Sequence, residues 1–113
     1  MDHKPILNFA DFWPYYLAEH SKPSTRALHF LATVVWLGLL LAAVVTSRWW
    51  LLTAIPVAAY GLAWASHFFL ERNRPATFKY PLFSLLADHK MFLYMLTGRM
   101  AAELARLNIT PRA

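Results

Sequence analysis

Residues 27–70 read ALHFLATVVWLGLLLAAVVTSRWWLLTAIPVAAYGLAWASHFFL, and the only charge among them is Arg48. On either side of it lies an uncharged run, 27–47 and 49–70. About 20 apolar residues in a helix cross the hydrocarbon layer of a bilayer, so each run is long enough to do so. Trp49 and Trp50, next to the charge, suit an interfacial anchor at a turn. The stretch predicts two spanning helices, 25–47 and 49–70, folded back on each other. The competing reading is two core helices of a soluble protein, but a chain of 113 residues could hardly cover both on all sides.

The composition agrees. Hydrophobic residues make up 58% and aromatics 16%, while charged residues are only 15%, against about 25% in an average soluble domain. A mean hydropathy of +0.36 leaves much of the chain outside lipid. The net charge is +5. Its bases flank the apolar runs, so anionic headgroups or an acidic substrate are the expected partners, and nucleic acid is not. There is no cysteine, so any metal must be held by nitrogen and oxygen ligands. The first twenty residues lack an apolar core and contain Asp2, Asp11 and Glu19. No cleavable signal peptide is expected, and the first run acts as its own insertion signal.

Charge also orients the pair. Lys4, Lys22 and Arg26 precede it, Arg72, Arg74 and Lys79 follow it, and the turn has only Arg48. Basic residues stay on the cytoplasmic side, which places both outer ends of the hairpin there.

Outside the hairpin, residues 9–20 read as an amphipathic helix. Asp11 is its expected N-cap, and Pro14 falls in the first turn. Phe9, Phe12, Trp13, Tyr16, Leu17 and His20 form a stripe suited to a membrane surface or to a lid over the hairpin mouth. Residues 21–24 form a linker, with Ser24 as N-cap of the first spanning helix. Residues 71–81, ERNRPATFKYP, read as a polar loop. Residues 82–107 read as one helix, interfacial because Asp88, His89 and Lys90 interrupt its apolar face; a third crossing is the alternative. The expected fold is a single all-α integral membrane domain, 1–113. Two spans alone also leave room for a homo-oligomer that completes the bundle.

The histidines carry the chemistry. His29 stands nineteen residues before Arg48 and His67 nineteen after it. At ~1.5 Å rise per residue both lie ~28 Å from the turn, the far edge of a slab ~30 Å thick. A polar run containing His20 and Glu71 adjoins them. His29, Thr33, Trp36 and Leu40 share one stripe of the first helix, and Tyr60, Ala63, Trp64 and His67 share one of the second. Ionisable residues in a span are costly and face the protein interior. A lone histidine there would be an interfacial residue bonded to backbone or water. Two at matched depth, with His20 nearby, point to a metal centre.

Glu19, Glu71 and Asp88 are the carboxylates placed to orient such ligands; ion pairing with Arg26, Arg72 or Arg74 is their alternative. His89 adjoins Asp88, and either could complete the site. Arg26, Arg72 and Arg74 could grip a fatty-acid carboxylate, leaving its tail along the apolar helices. Simple cytoplasmic anchoring is the other role open to them.

Two blocks, FADFWPYYLAEHSKPSTRALHFLAT and WASHFFLERNRPATFKYPLFSLLADHKM, resemble the small membrane-protein family that includes the 2-hydroxy-fatty-acid dioxygenase of phytosphingosine breakdown, the Mpo-like proteins. The spacings E-H-x(5)-R-x-L-H-F and H-F-x-x-E-x-N-x-P-A-T-F carry the likeness, which extends over roughly residues 9–100. The resemblance implies an iron(II)-dependent α-oxidation, in which O₂ shortens a 2-hydroxy fatty acid by one carbon. It implies His20, His29 and His67 as iron ligands, with the fourth place open between His89 and Asp88. Two other functions remain: a bis-histidine haem carrier using His29 and His67, and a non-catalytic membrane module. The small residues Ala58, Ala59, Gly61, Ala63 and Ala65, which permit close helix packing, favour the last.

Overall fold

The computed structural model describes residues 5–110. His3, given no role from sequence, and Lys4, counted with the basic flank, lie outside the described residues. The described residues contain five α-helices and no strand: α1 (Phe9–Ala18), α2 (Pro23–Thr46), α3 (Ala54–Ala65), α4 (Pro81–Leu96) and α5 (Met100–Arg106).

Helix α2 starts on Pro23, a residue well suited to a first helical position because its missing N–H would have no partner there anyway. Lys22 holds the capping position, so Ser24, the expected N-cap, lies inside the first turn. The helix stops at Thr46, where Ser47 adopts a left-handed conformation with φ 55°. A 3₁₀ turn, Trp49–Thr53, reverses the chain; α3 and a π-helical segment, Ser66–Glu71, then return along α2. The second apolar run is thus three helical geometries in series. Both α2 and the stretch Trp49–Glu71 are long and apolar enough to cross a membrane. Only 22% and 17% of their most apolar windows are buried, whereas a soluble core helix would be mostly buried.

Helix α1 is capped by Asn8, one turn earlier than the expected Asp11. Asn8 Oδ1 accepts the Asp11 backbone N–H at 2.8 Å, and the Asp11 carboxylate accepts from Asn8 Nδ2 at 3.1 Å. This reciprocal pair satisfies a helix start better than either side chain alone. The stripe on α1 is a lid rather than a membrane-facing surface: Phe12, Trp13, Tyr16 and Leu17 are all buried. Phe12 packs on Phe83 of α4 at 5.4 Å between ring centroids, and Trp13 packs edge-on against Tyr94 at 5.7 Å.

The single helix expected over 82–107 is broken at Gly98. Gly98 takes φ +72°; its N–H bonds Met95 O at 3.3 Å, and the Arg99 N–H bonds Tyr94 O at 2.8 Å. Those two bonds close a helix C-terminus and need a residue tolerant of positive φ. Helix α4 has 16 residues, about 24 Å, short of the ~30 Å that a third crossing requires. Helix α5 turns back onto α1, where Trp13 Nε1 donates to Glu103 at 2.7 Å. The lid, α4 and α5 gather at the end of the α2–α3 pair where the histidines lie.

Candidate metal centre

His20 sits two residues beyond the end of α1, His29 on the second turn of α2, and His67 in the π segment. All three are buried. His20 Nε2 lies 3.1 Å from His29 Nε2 and 2.9 Å from His67 Nε2. Nitrogen ligands at ~2.1 Å from one ion stand ~3.0–3.4 Å apart, so this spacing fits a shared cation. The prospective ligand atoms of the three all fall within 4.8 Å of one another.

The opposite ring nitrogens decide which atoms are free to ligate. His20 Nδ1 meets Tyr16 O at 2.7 Å, and His29 Nδ1 meets Thr25 O at 3.0 Å. A carbonyl oxygen only accepts, so both Nδ1 atoms carry the proton. The Ser66 hydroxyl, which donates to Ala63 O at 2.6 Å, presents a lone pair to His29 Nδ1 at 3.2 Å. His67 Nδ1 lies 2.7 Å from Asn73 Oδ1. The Asn73 amide is oriented by Glu19, whose carbonyl and carboxylate accept from Nδ2 at 3.1 and 2.5 Å. All three Nε2 lone pairs therefore converge, and a cation between them relieves their repulsion. A shared proton is the alternative, but burial pushes the His20 imidazole well below its ordinary value, against protonation.

Beside the imidazoles is a void of about 10 Å³, lined also by Tyr16, Tyr60, Ala76, Ser84 and Asp88. That is close to the space of a single water. A haem between His29 and His67 does not fit. The third imidazole, close to both of the others, occupies the place a macrocycle would need. A second cavity of about 540 Å³ runs between α2, α3 and α4 from Ile55 and Pro56 to His29 and Asp88. Its walls are largely apolar, and the small residues Ala32, Ala59 and Ala63 make the room.

Residues 6–100 match the family described as 2-hydroxy-palmitic acid dioxygenase Mpo1-like. The chain belongs to that family. No curated protein and no solved structure matches it. The Mpo1-like match spans α1 through α4, and so includes the three histidines, Asn73, Ser84 and Asp88.

The other residues singled out from sequence occupy varied places in this Mpo1-like chain. His89 is not grouped with the three histidines. Its Nδ1 donates to Leu85 O at 2.8 Å, and its ring stands edge-on to Trp36 at 5.6 Å, on the wall of the apolar cavity. Asp88 borders both the void and the cavity, and its carboxylate accepts the Tyr16 hydroxyl. Burial pushes the Asp88 carboxyl up to about 6.

Glu71 is buried; it accepts the Lys22 backbone N–H at 2.6 Å and the Ser21 hydroxyl at 3.2 Å. In the π segment it caps the start of α2, where a negative charge also opposes the helix dipole. The orienting position on His67 belongs to Asn73, which sequence reading passed over although the E-x-N spacing contains it. Arg26 is buried and donates from Nη1 to His20 O at 2.7 Å, fixing the backbone of a clustered histidine. Arg72, at φ 59°, ends the π segment, and with Arg74 it borders a surface hollow beside Phe68 and Phe69. Neither arginine lines the void or the apolar cavity.

Proposed function

We propose that this chain is an iron(II)-dependent dioxygenase that converts a 2-hydroxy fatty acid and O₂ into the acid one carbon shorter, CO₂ and water. The observation that carries the reading is the convergence of three Nε2 atoms whose rings are all turned by acceptors on Nδ1. Membership of the Mpo1-like family supports the reaction class. Three neutral imidazoles leave coordination positions open, as an O₂-using iron site needs. Bound there, iron(II) would supply O₂ activation next to the C1–C2 bond.

The chain's own residues do the rest. His20, His29 and His67 hold the ion, and Tyr16, Thr25 and Asn73 keep their rings in place. The apolar cavity takes the acyl tail and keeps water from the reacting end. Asp88 stands beside the void as the group able to take or return a proton, while Glu71 and Arg26 fix the segments that carry the ligands. Arg72 and Arg74, on the outer surface, draw an anionic acid to the protein from the membrane.

The chain lies in the bilayer with α2 and α3 crossing it and both outer ends of the pair facing the cytoplasm. The low burial of both apolar stretches and the placement of the bases support that orientation. The test is elemental analysis of protein purified without added metal, with O₂-dependent shortening of 2-hydroxyhexadecanoate as the assay. About one iron per chain and a fifteen-carbon acid are expected. Folded protein that takes up no iron would refute the reading.

A further inference from the structure

Helix α4 contributes Ser84 and Asp88, one helical turn apart, to the lining of the void beside the imidazoles. Asp88 is engaged with the Tyr16 hydroxyl. The Ser84 side chain has no such contact among the described residues. Its side chain is 1% exposed, and among the described residues its Oγ has no hydrogen-bond partner. A buried hydroxyl is nearly always paired, so an orphan bordering a void marks a place where something polar is missing. Its own helix offers an outlet: a serine can bond the carbonyl four residues back. Here Tyr80 O accepts the Ser84 backbone N–H at 2.9 Å, and Oγ does not use it.

The void and the apolar cavity share His29, Tyr60, Ala63 and Asp88 as lining, so the two adjoin at those residues. A single-chain lipid filling the cavity brings its polar end to the void. There Ser84 and the three imidazoles line the same small space.

We propose that the Ser84 hydroxyl binds the 2-hydroxyl of the acid and so distinguishes 2-hydroxy fatty acids from unsubstituted ones. The assignment rests on the substrate class proposed above. A hydroxyl both donates and accepts, so it pairs with an alcohol in either sense. The Asp88 carboxylate would repel the acid's own carboxylate, which leaves the neutral alcohol as the group best placed on this wall. An unsubstituted acid would leave Ser84 buried and unpaired, and a site built around a hydrogen bond rejects an analogue that lacks the partner.

The experiment compares wild type, Ser84→Ala and Ser84→Thr as full chains in lipid nanodiscs. Zinc occupies the site and O₂ is excluded. Displacement of a fluorescent fatty acid gives the affinities for 2-hydroxyhexadecanoate and hexadecanoate; bound zinc and thermal stability are measured alongside. Ser84→Ala should weaken 2-hydroxyhexadecanoate binding about tenfold, the scale of one hydrogen bond. It should leave hexadecanoate affinity and zinc content unchanged and not lower the melting temperature. Ser84→Thr should keep the preference. A wild type that prefers the 2-hydroxy acid and a Ser84→Ala that prefers it equally would overturn the Ser84 assignment alone. A wild type that binds both acids equally would overturn the substrate class and the Ser84 assignment together.

Discussion

Replacing Asn73 with alanine should weaken metal binding without touching a ligand. Asn73 Oδ1 accepts from His67 Nδ1 at 2.7 Å, while its Nδ2 donates to two oxygens of Glu19. The amide thereby keeps the proton on Nδ1 and leaves His67 Nε2 bare. Removing such a partner commonly costs 10–100-fold in metal affinity. At about 1.4 kcal/mol per tenfold, that is about 1.4–2.7 kcal/mol. Asn73→Ala also removes the two bonds to the half-buried Glu19, a separate cost in fold stability of about 1 kcal/mol.

Asn73→Asp separates the two effects. It restores an acceptor for Nδ1, yet it loses both donations and sets a carboxylate against Glu19. Its metal affinity should return toward wild type while its melting temperature stays low. The assay is competition for zinc against a calibrated chelator in detergent, with thermal unfolding alongside. His67→Ala serves as the reference, and the His67→Ala/Asn73→Ala pair should bind no more weakly than His67→Ala alone, because Asn73 acts only through that ring. Asn73→Ala within twofold of wild type, beside a His67→Ala that has lost binding, would refute the orienting role.

Three further outcomes are expected. His89→Ala should keep its full metal content by elemental analysis, since that ring stands against Trp36 and is not grouped with the triad; loss of the metal would return His89 to the ligand set. Ala59→Phe should fill the apolar cavity and shift turnover toward shorter 2-hydroxy acids with metal content intact, a change read by competing acids of different length. Unchanged length preference would remove the tail from that cavity.

The third concerns acid stability. Hydrogen bonds from Arg106, and after them the one from Trp13, hold the Glu103 carboxyl down to about 2; an unfolded glutamate titrates near ~4.3. The folded value is the lower one, so this stabilisation is complete above ~4.3 and disappears as pH falls toward 2. Glu103→Gln should flatten the loss of stability over that window in acid-unfolding curves. Parallel curves would show that the contacts of Glu103 with Arg106 and Trp13 add nothing to stability over that window.

The legible parts of the sequence were those governed by composition and period. Two charge-free runs marked the paired helices, and equal spacing from Arg48 paired His29 with His67, whose rings lie 5.1 Å apart. What escaped reading was local backbone geometry. Nothing in SHFFLE announces a π segment, yet Glu71, which meets Ser21 and Lys22, is its last residue. The helix over 82–107 failed at Gly98 because an apolar face can continue across a break, and the break depends on a positive φ that periodicity does not register. Ser84 was invisible for another reason. A serine on a helix is ordinary, and only its burial without a partner makes it informative.

The three clustered histidines are held by bonds that also close the helices. A helix leaves its last carbonyls and first N–H groups without internal partners. Tyr16 O, in the last turn of α1, is taken by His20 Nδ1, and the Lys22 N–H at the start of α2 is taken by Glu71. Arg26, from the first turn of α2, returns to the carbonyl of His20. The short link between α1 and α2 is thus capped at both ends by residues that also set the position of one of the clustered histidines. Near the end of the π segment, Asn73 donates its backbone N–H to His67 O and presents its side chain to the same histidine's ring. Orientation of the imidazoles and termination of the helices are therefore one hydrogen-bond network. Loss of a connecting residue should loosen the metal and the fold together, while loss of a residue that only faces the void, such as Ser84, should spare both.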